Sequence, residues 1–411
     1  MTGRVLYTEI MNTIEWRSSA LHKYWLKCEK NPTTIKEMLF SSHSLDFPTY
    51  TSGMVPASLL PSDAENKSGM GYAWIRDNAH VANALLENGE TRKAAGITKA
   101  ILQIAIQYES TLDDIISGTA SAENVMSRPP IRVVGDTLDA TGQWPNAQND
   151  SIGYALWIIA KTASREIVTL EEDDLRVINK FVAYLDKIEY WQDKDSGHWE
   201  EDRAIHPASI GVVIAGLEEL KTDNLIQHLD VKRVNWLITQ GRAALNELLS
   251  QDIPRDASLL FLVEPLHILD ETQSTAIVTM VEETLLREYG IIRYPNDSYW
   301  SANYRDHFKI GDRTADFSGR LDERARHNIP GHEAQWTLFD PLLSVYFSRQ
   351  NRPDKAHYYL ERTLASFIEQ DNHWAVPETF FFEHDAWVAN DHIPLLWSQA
   401  NVLLALNQSH S

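Results

Sequence analysis

The chain has 411 residues, and 58 Asp and Glu against 37 Lys and Arg give it a formal net charge of −21. This acidic balance argues against a nucleic-acid partner and against an anionic membrane surface, because both require clustered positive charge. With 43% hydrophobic and 23% charged residues, the composition excludes a chain that is mainly disordered and is typical of a globular protein with a large core.

The N-terminal segment predicts a first helix over residues 9–29. Residues 1–13 contain no apolar core of signal-peptide length, and no run in the chain approaches the roughly 18 apolar residues of a membrane span. The single cysteine, Cys28, has no second thiol with which to form an internal disulfide. We therefore expect a cytoplasmic protein without a membrane partner.

Helical periodicity continues through the rest of the chain. In one example, Leu175, Ile178, Val182 and Leu185 recur at helical spacing after an acidic first turn, which favours the positive end of the helix dipole. The same pattern predicts twelve helices, at residues 9–29, 77–88, 90–110, 148–164, 172–190, 207–221, 231–250, 256–268, 273–288, 333–348, 353–370 and 394–407.

The predicted helices alternate between two kinds. Even-numbered members contain long runs without Lys or Arg, such as 152–160 and 210–216, which indicates burial on all sides. Odd-numbered members are amphipathic and carry charges, as in 90–94. Alternating inner and outer helices predict an all-α fold, an (α/α)6 barrel built as a toroid of six helical hairpins. Because the twelve helices and their loops use nearly the whole length, we expect one domain over 1–411, without a separate module.

Five long irregular stretches, at 41–73, 111–147, 191–206, 290–332 and 371–393, each precede an inner helix. Loops of this length in a compact domain are usually functional. If the hairpins run up and down, these loops gather at one end of the barrel. The sequence thus predicts a loop-built site at one mouth.

The residues in these loops suit the binding of a sugar. At the end of the first, Arg76 and Asp77 can bind hydroxyl groups while Trp74 packs against a sugar face, although Asp77 could instead cap the helix. The remaining loops place Trp144, Trp199 and Trp336 at the same mouth.

Two glutamates in separate loops could act on a glycosidic bond. Glu200 stands in a run of three carboxylates, and mutual repulsion raises a carboxyl pKa in a way that suits a general acid, although such a run could also be an exposed acidic turn. Glu378 lies in the last loop. An inverting glycosidase needs two carboxyls roughly 6.5–9.5 Å apart with a water between them, and two loops of one mouth could provide that gap.

Taken in order, the motifs resemble glycoside hydrolase family 15, the glucoamylase family. They are residues 52–58, 72–77, 144–150, 199–201, 293–299, 377–378 and 396–400, and the resemblance covers roughly residues 45–407. It implies an (α/α)6 barrel, with Glu200 as general acid and Glu378 as general base. It also implies that Trp74, Arg76 and Asp77 hold the non-reducing-end glucose, and that the following residues line this subsite and the next one: Trp144, Gln148, Asp150, Glu201 and Arg293.

The resulting hypothesis is an inverting, exo-acting α-glucoside hydrolase that releases glucose from the non-reducing ends of α-glucans or, more in keeping with a chain of this length, short α-gluco-oligosaccharides. Trehalose and α-1,6 glucosides are alternative substrates. A non-hydrolytic, regulatory barrel is the other alternative, because residues 333–339 and 392–400 also resemble the barrel domain of the phosphorylase kinase α and β subunits. The histidines show no metal-ligand spacing and no nucleotide motif is present, so we expect neither a metal nor a cofactor.

Overall fold

The computed structural model describes residues 14–59, 69–370 and 373–408. In these ranges the helices are α1 Ser19–Lys27, α2 Pro32–Ser41, α3 Ile75–Glu87, α4 Thr91–Gln107, α5 Glu109–Ser117, α6 Asn149–Ser164, α7 Glu172–Lys187, α8 Pro207–Glu219, α9 Asp223–Ile226, α10 Val231–Gln251, α11 Leu260–Val263, α12 Glu271–Met280, α13 Tyr304–His307, α14 Leu321–Ala325, α15 Asp340–Arg349, α16 Pro353–Ala365 and α17 Leu396–Gln408. The strands are β1 Ala73–Trp74, β2 Arg132–Val133, β3 Gln335–Trp336, β4 Ile368–Gln370, β5 His373–Ala375, β6 Thr379–Glu383 and β7 Ala386–Ala389. None of the helices in these ranges has the length and apolar character that crossing a bilayer requires.

Among the described residues, α3, α6, α8, α11, α15 and α17 form a closed inner ring. Each packs against the next, and α17 packs back onto α3. The charge-free runs explain this placement, since residues 152–160 of α6 and 210–217 of α8 are buried all round.

Amphipathic helices surround the ring. In α7, for example, Val177, Ile178, Phe181 and Leu185 are buried, and a reciprocal capping box between Glu171 and Asp174 starts the helix. The helices α4, α7, α10, α12 and α16 each contact an inner helix or the helix beside it, and α2 packs on α17. The chain therefore folds as the predicted (α/α)6 barrel.

The predicted start of the barrel was wrong in detail. One helix was expected over 9–29, but the described part of that segment forms α1, and a second helix, α2, follows it. The side chain of Asn31 accepts a hydrogen bond from the Thr34 amide, and Pro32 occupies the first turn, so a new helix begins there. Residues 9–13 of the predicted helix lie outside the described residues.

Three other predicted helices were too long. The eighth, predicted over 256–268, ends at Val263 because Pro265 cannot donate a helical hydrogen bond and Glu264 before it is extended. The tenth was predicted from 333, but α15 begins only at Asp340 and β3 precedes it. The eleventh, predicted to 370, ends at Ala365 and is followed by β4.

The predicted loops contain short strands that position the site. The stretch expected to be irregular at 371–393 includes β5 and forms the β6–β7 hairpin, and β3 adds antiparallel to β6 with Trp336 opposite Thr379. At the first loop, β1 pairs with β2 and sets Trp74 opposite Arg132. Two small sheets thus tie distant loops together at the same end of the barrel.

Candidate active site

A cavity of about 780 Å³, counting its open mouth, lies where these loops meet the first turns of the inner helices. The predicted site residues that line it are Trp74, Arg76, Asp77, Trp144, Trp199, Glu200, Arg293, Trp336 and Glu378. The structure therefore brings together side chains that are up to about three hundred positions apart in the chain.

Glu200 presents its carboxylate to this cavity from a left-handed backbone position, with φ of 57°. Its Oε1 accepts hydrogen bonds from Trp74 Nε1 at 2.8 Å, Arg76 Nη2 at 3.1 Å and Gln148 Nε2 at 3.2 Å. Within the described residues nothing donates a hydrogen bond to Oε2. One oxygen is held by three donors while the other remains available beside the cavity.

Glu378 has the same asymmetry. Its Oε2 accepts hydrogen bonds from Asn390 Nδ2 at 2.6 Å, His392 Nδ1 at 2.7 Å and, more weakly, the Tyr299 hydroxyl at 3.3 Å. An ionised carboxylate can only accept, so Nδ1 of His392 carries the proton in this arrangement. Across the part of the chain that the structure describes, Oε1 receives no hydrogen bond.

Two residues at the start of α3 differ in their surroundings. Arg76 is buried, and its Nη1 donates to Gln148 Oε1 and Asp150 Oδ2, both at 3.0 Å. Asp77 lines the cavity, and burial raises its pKa to about 7 against the opposing effect of Arg76. Arg76 is thus held rigidly, whereas Asp77 can exchange a proton near neutral pH.

The expected binding residues Gln148, Asp150 and Glu201 do not line the cavity but bind residues that do. Glu201 accepts hydrogen bonds from Arg293 Nη2 at 2.9 Å and from Arg324. Burial tends to raise the pKa of Glu201, but the two guanidinium groups outweigh it and hold that pKa below its ordinary value. Its carboxylate therefore stays charged and orients both arginines.

Aromatic rings form the cavity walls. Trp74 and Trp144 meet edge to face, with centroids 6.1 Å apart. On another side Trp336 lies 5.7 Å from Trp199 and stacks on Tyr299 at 5.9 Å. Such rings offer apolar faces for a sugar ring, and the charged groups between them offer partners for its hydroxyls.

Several residues of the site were not predicted as site residues from the sequence: Tyr299, Arg324, Asn390, His392, Trp397 and residues 314–317. Trp397 lies within the motif 396–400 and Tyr299 within the motif 293–299, so these motifs could have revealed both. Arg324 follows no recognisable signal. No group of three or more His, Cys, Asp or Glu among the described residues is arranged to hold a metal ion.

Comparison with known proteins identifies the family. The family model of glycosyl hydrolases family 15 matches residues 40–339, which is most of the chain. The chain belongs to this family. It is 22% identical to isomaltose glucohydrolase of Kribbella flavida over 316 residues, which cover 66% of this chain and 81% of that enzyme.

A second relative has a different role. The chain is 25% identical to a probable phosphorylase b kinase regulatory subunit alpha of Caenorhabditis elegans over 277 residues, which are 57% of this chain and 22% of the subunit. The match spans about a fifth of that longer protein.

Solved structures show the same fold. A wild-type glycosidase has a TM-score of 0.68 at 19% identity, with 90% of this chain and 96% of that chain covered. A glycosidase variant in complex with glucose has a TM-score of 0.66 at 18% identity, with the same 90% and 96% covered. A bacterial glucoamylase complexed with acarbose has a TM-score of 0.58 at 15% identity, with 88% of this chain and 53% of that chain covered. Together with the family match, these likenesses make the protein a glycoside hydrolase with the glucoamylase-like barrel.

Proposed function

We propose that this protein is an inverting, exo-acting hydrolase of α-glucosides, with Glu200 as general acid and Glu378 as general base. The observation that carries the proposal is that the two carboxylates share one hydrogen-bonding arrangement. Both line one cavity, and each has one oxygen held by three donors and the other without a partner among the described residues. Two such groups are what glycoside hydrolysis requires.

In the proposed reaction the non-reducing-end glucose lies against Trp74, with Arg76 and Asp77 near its hydroxyls. Protonated Glu200 donates its proton from Oε2 to the glycosidic oxygen as the bond from that oxygen to the anomeric carbon breaks. Glu378 takes a proton on Oε1 from a water that attacks the anomeric carbon from the opposite face. The water oxygen becomes the β-hydroxyl of the released glucose, and the remaining sugar leaves with the proton from Glu200.

Release from a chain end is supported by the aromatic packing behind Trp397, which lines the cavity. Below it, His80 packs against Tyr154 at 4.7 Å and Trp397 at 4.8 Å, and Phe261 stacks on Trp397 at 5.0 Å. Within the part of the chain that the structure describes, this packed barrel core leaves no passage through which a glucan could continue. The pocket therefore favours a terminal residue over an internal one.

Short α-gluco-oligosaccharides are the proposed substrates. The isomaltose glucohydrolase relative makes α-1,6 linkages a specific second candidate beside α-1,4 linkages. The regulatory alternative, suggested by the likeness to the phosphorylase kinase subunit, does not require two available carboxylate oxygens at one cavity.

The stereochemistry tests the mechanism. Maltotriose and isomaltotriose are incubated with the enzyme, and the anomers of released glucose are followed by proton NMR before mutarotation. We expect β-glucose first from at least one substrate. Release of the α-anomer first would contradict inversion, and absence of glucose from every α-glucoside, trehalose and maltose included, would contradict hydrolysis.

Leaving-group dependence separates the two glutamates. With an oligosaccharide, Glu200→Gln and Glu378→Gln should each lower kcat by about 10²–10⁴-fold. With α-glucosyl fluoride, whose fluoride leaves with little protonation, Glu200→Gln should recover most of its activity while Glu378→Gln should not. Glu283→Gln, at an exposed glutamate that does not line the cavity, is the matched control and should behave as wild type. Equal losses on both substrates for Glu200→Gln would exclude it as the acid.

A further inference from the structure

One wall of the cavity has no part in the mechanism above. It is formed by residues 314–317, here called the strap, which belong to the long loop before β3. Thr314, Ala315, Asp316 and Phe317 all line the cavity, although they lie more than a hundred residues after Glu200. A ligand bound in the cavity would therefore lie against the strap.

The chain just after the strap is fastened to the segment that carries the proposed acid. The Ser318 hydroxyl lies 3.4 Å from the backbone carbonyl oxygen of Glu200 and 3.3 Å from that of Glu201, and donates to them. The Gly319 amide donates to the Asp202 carboxylate at 2.5 Å. A general acid must reach the glycosidic oxygen, so the leaving sugar has to lie next to Glu200. The strap stands beside this position.

Asp316 supplies the recognition chemistry on the strap. Its Oδ1 accepts a hydrogen bond from the Ser318 amide at 2.8 Å, and Arg320 Nη2 holds its backbone carbonyl at 2.8 Å. Among the described residues no group donates to Oδ2 and no cation forms an ion pair with the carboxylate, although its charge partly offsets the lowering of the Arg132 pKa by burial, so this guanidinium lies nearby. Phe317 is buried beneath it, with the guanidinium groups of Arg320 and Arg324 over its ring at 5.4 and 5.3 Å. The carboxylate is thus held in place with its acceptor capacity unused.

We propose that Asp316 is a specificity-determining residue that accepts hydrogen bonds from hydroxyls of the leaving-group sugar, which lies beside the strap. This inference rests on the proposed function, because the position of the leaving group follows from Glu200 as the acid. It assigns the enzyme a preference for leaving groups that are themselves sugars with free hydroxyls.

The test compares leaving groups with and without hydroxyls. Wild type, Asp316→Ala and Asp316→Asn are assayed on maltose and isomaltose and on α-glucosyl fluoride. For Asp316→Ala, kcat/KM on the preferred disaccharide should fall by about 10- to 100-fold, the usual effect of losing hydrogen bonds to a charged group. Activity of Asp316→Ala on the fluoride should stay within about twofold of wild type. For Asp316→Asn, kcat/KM on the disaccharide should lie between the values for wild type and Asp316→Ala. Unchanged activity on the fluoride also shows that the variant is folded.

The matched control is Asp312→Asn, at an exposed residue of the same loop that does not line the cavity and should change neither activity. Equal losses on disaccharide and fluoride would assign Asp316 a general structural role and overturn the inference, as would unchanged disaccharide activity in Asp316→Ala. Wild type that hydrolyses the fluoride but neither disaccharide would also overturn the inference while leaving the catalytic pair intact. Wild type inactive on every α-glucoside would remove the proposed function and the inference with it.

Discussion

At the scale of single residues, the hydrogen-bond donors around Glu378 all contact the same carboxylate oxygen, Oε2. Asn390 and His392 come just after β7 and both donate to Oε2. Trp300 packs edge-on against the His392 ring at 5.5 Å, which limits how that ring can turn. His392 therefore orients the carboxylate without lining the cavity itself, and we expect it to be a positioning residue.

Replacement of His392 should affect the chemical step more than binding. For His392→Ala we expect kcat to fall by about 10- to 100-fold with KM within about threefold of wild type. The reason is that the change misplaces Glu378, the proposed base, and leaves the proposed sugar contacts in place. Steady-state kinetics on the preferred oligosaccharide measures both values. His384→Ala, at an exposed histidine in the turn between β6 and β7, is the control and should leave both unchanged. A rise in KM with kcat preserved would argue against a positioning role.

At the scale of elements, α6 and α8 approach each other closely through two glycines. A Cβ atom on Gly153 would lie 2.7 Å from backbone atoms of Val212 and Val213, and one on Gly216 would lie 2.5 Å from the Gly153 carbonyl oxygen. Backbone atoms cannot move aside as a flexible side chain can. The inner ring at this point depends on the absence of two side chains.

Gly216→Ala should therefore destabilise the protein by about 1–3 kcal/mol, because the added methyl group forces the two inner helices apart. Urea unfolding followed by circular dichroism measures the free energy of unfolding. Gly96→Ala in the outer helix α4, where the nearest atom would be 4.0 Å away, should be neutral or stabilising, since alanine is the better helix former. Similar losses in both variants would show that helix spacing is not the cause.

At the scale of the whole molecule, stability depends on buried carboxyls. Burial raises the pKa of Asp195 from 3.8 to about 7, with His206 opposing the shift, and the carboxyl accepts a hydrogen bond from the Asn149 amide at 2.9 Å. The Asp195 carboxyl therefore stays protonated in the folded protein over a pH range in which it is ionised in the unfolded chain. The stabilisation is complete below the pKa of the unfolded chain and is lost as the pH rises through about 7.

Asp195→Asn should remove this pH dependence. From pH 5 to pH 8, the free energy of unfolding of the variant should rise by about 2–3 kcal/mol relative to that of wild type, since each pKa unit is worth about 1.4 kcal/mol. Urea unfolding of both proteins at the two pH values gives the difference. Asp114→Asn, at an exposed aspartate, should change stability equally at both pH values. An equal effect of Asp195→Asn at pH 5 and pH 8 would contradict the assignment.

The sequence by itself determined the barrel and the place of its site. Periodicity of 3.6 residues and the charge-free runs at 152–160 and 210–216 are local properties, and they are enough to separate inner from outer helices. Local turn and cap signals also explain boundaries that were missed, such as Asn31 before α2 and Pro265 after α11. Glu200 and Glu378 could be singled out because the family motifs surround them.

Only the tertiary structure decided how the site is assembled. The pairing of β3 with β6 joins residues more than forty positions apart, and a two-residue strand has no periodicity that could predict it. Gln148, Asp150 and Glu201 were expected in the cavity wall, but they serve buried arginines, because a buried guanidinium needs a carboxylate or amide partner. The Ser318 hydroxyl donates to the backbone carbonyls of Glu200 and Glu201 across more than a hundred residues of sequence. Because such contacts join residues that are far apart in the chain, they depend on how the whole chain packs and cannot be predicted from the spacing of residues along the sequence.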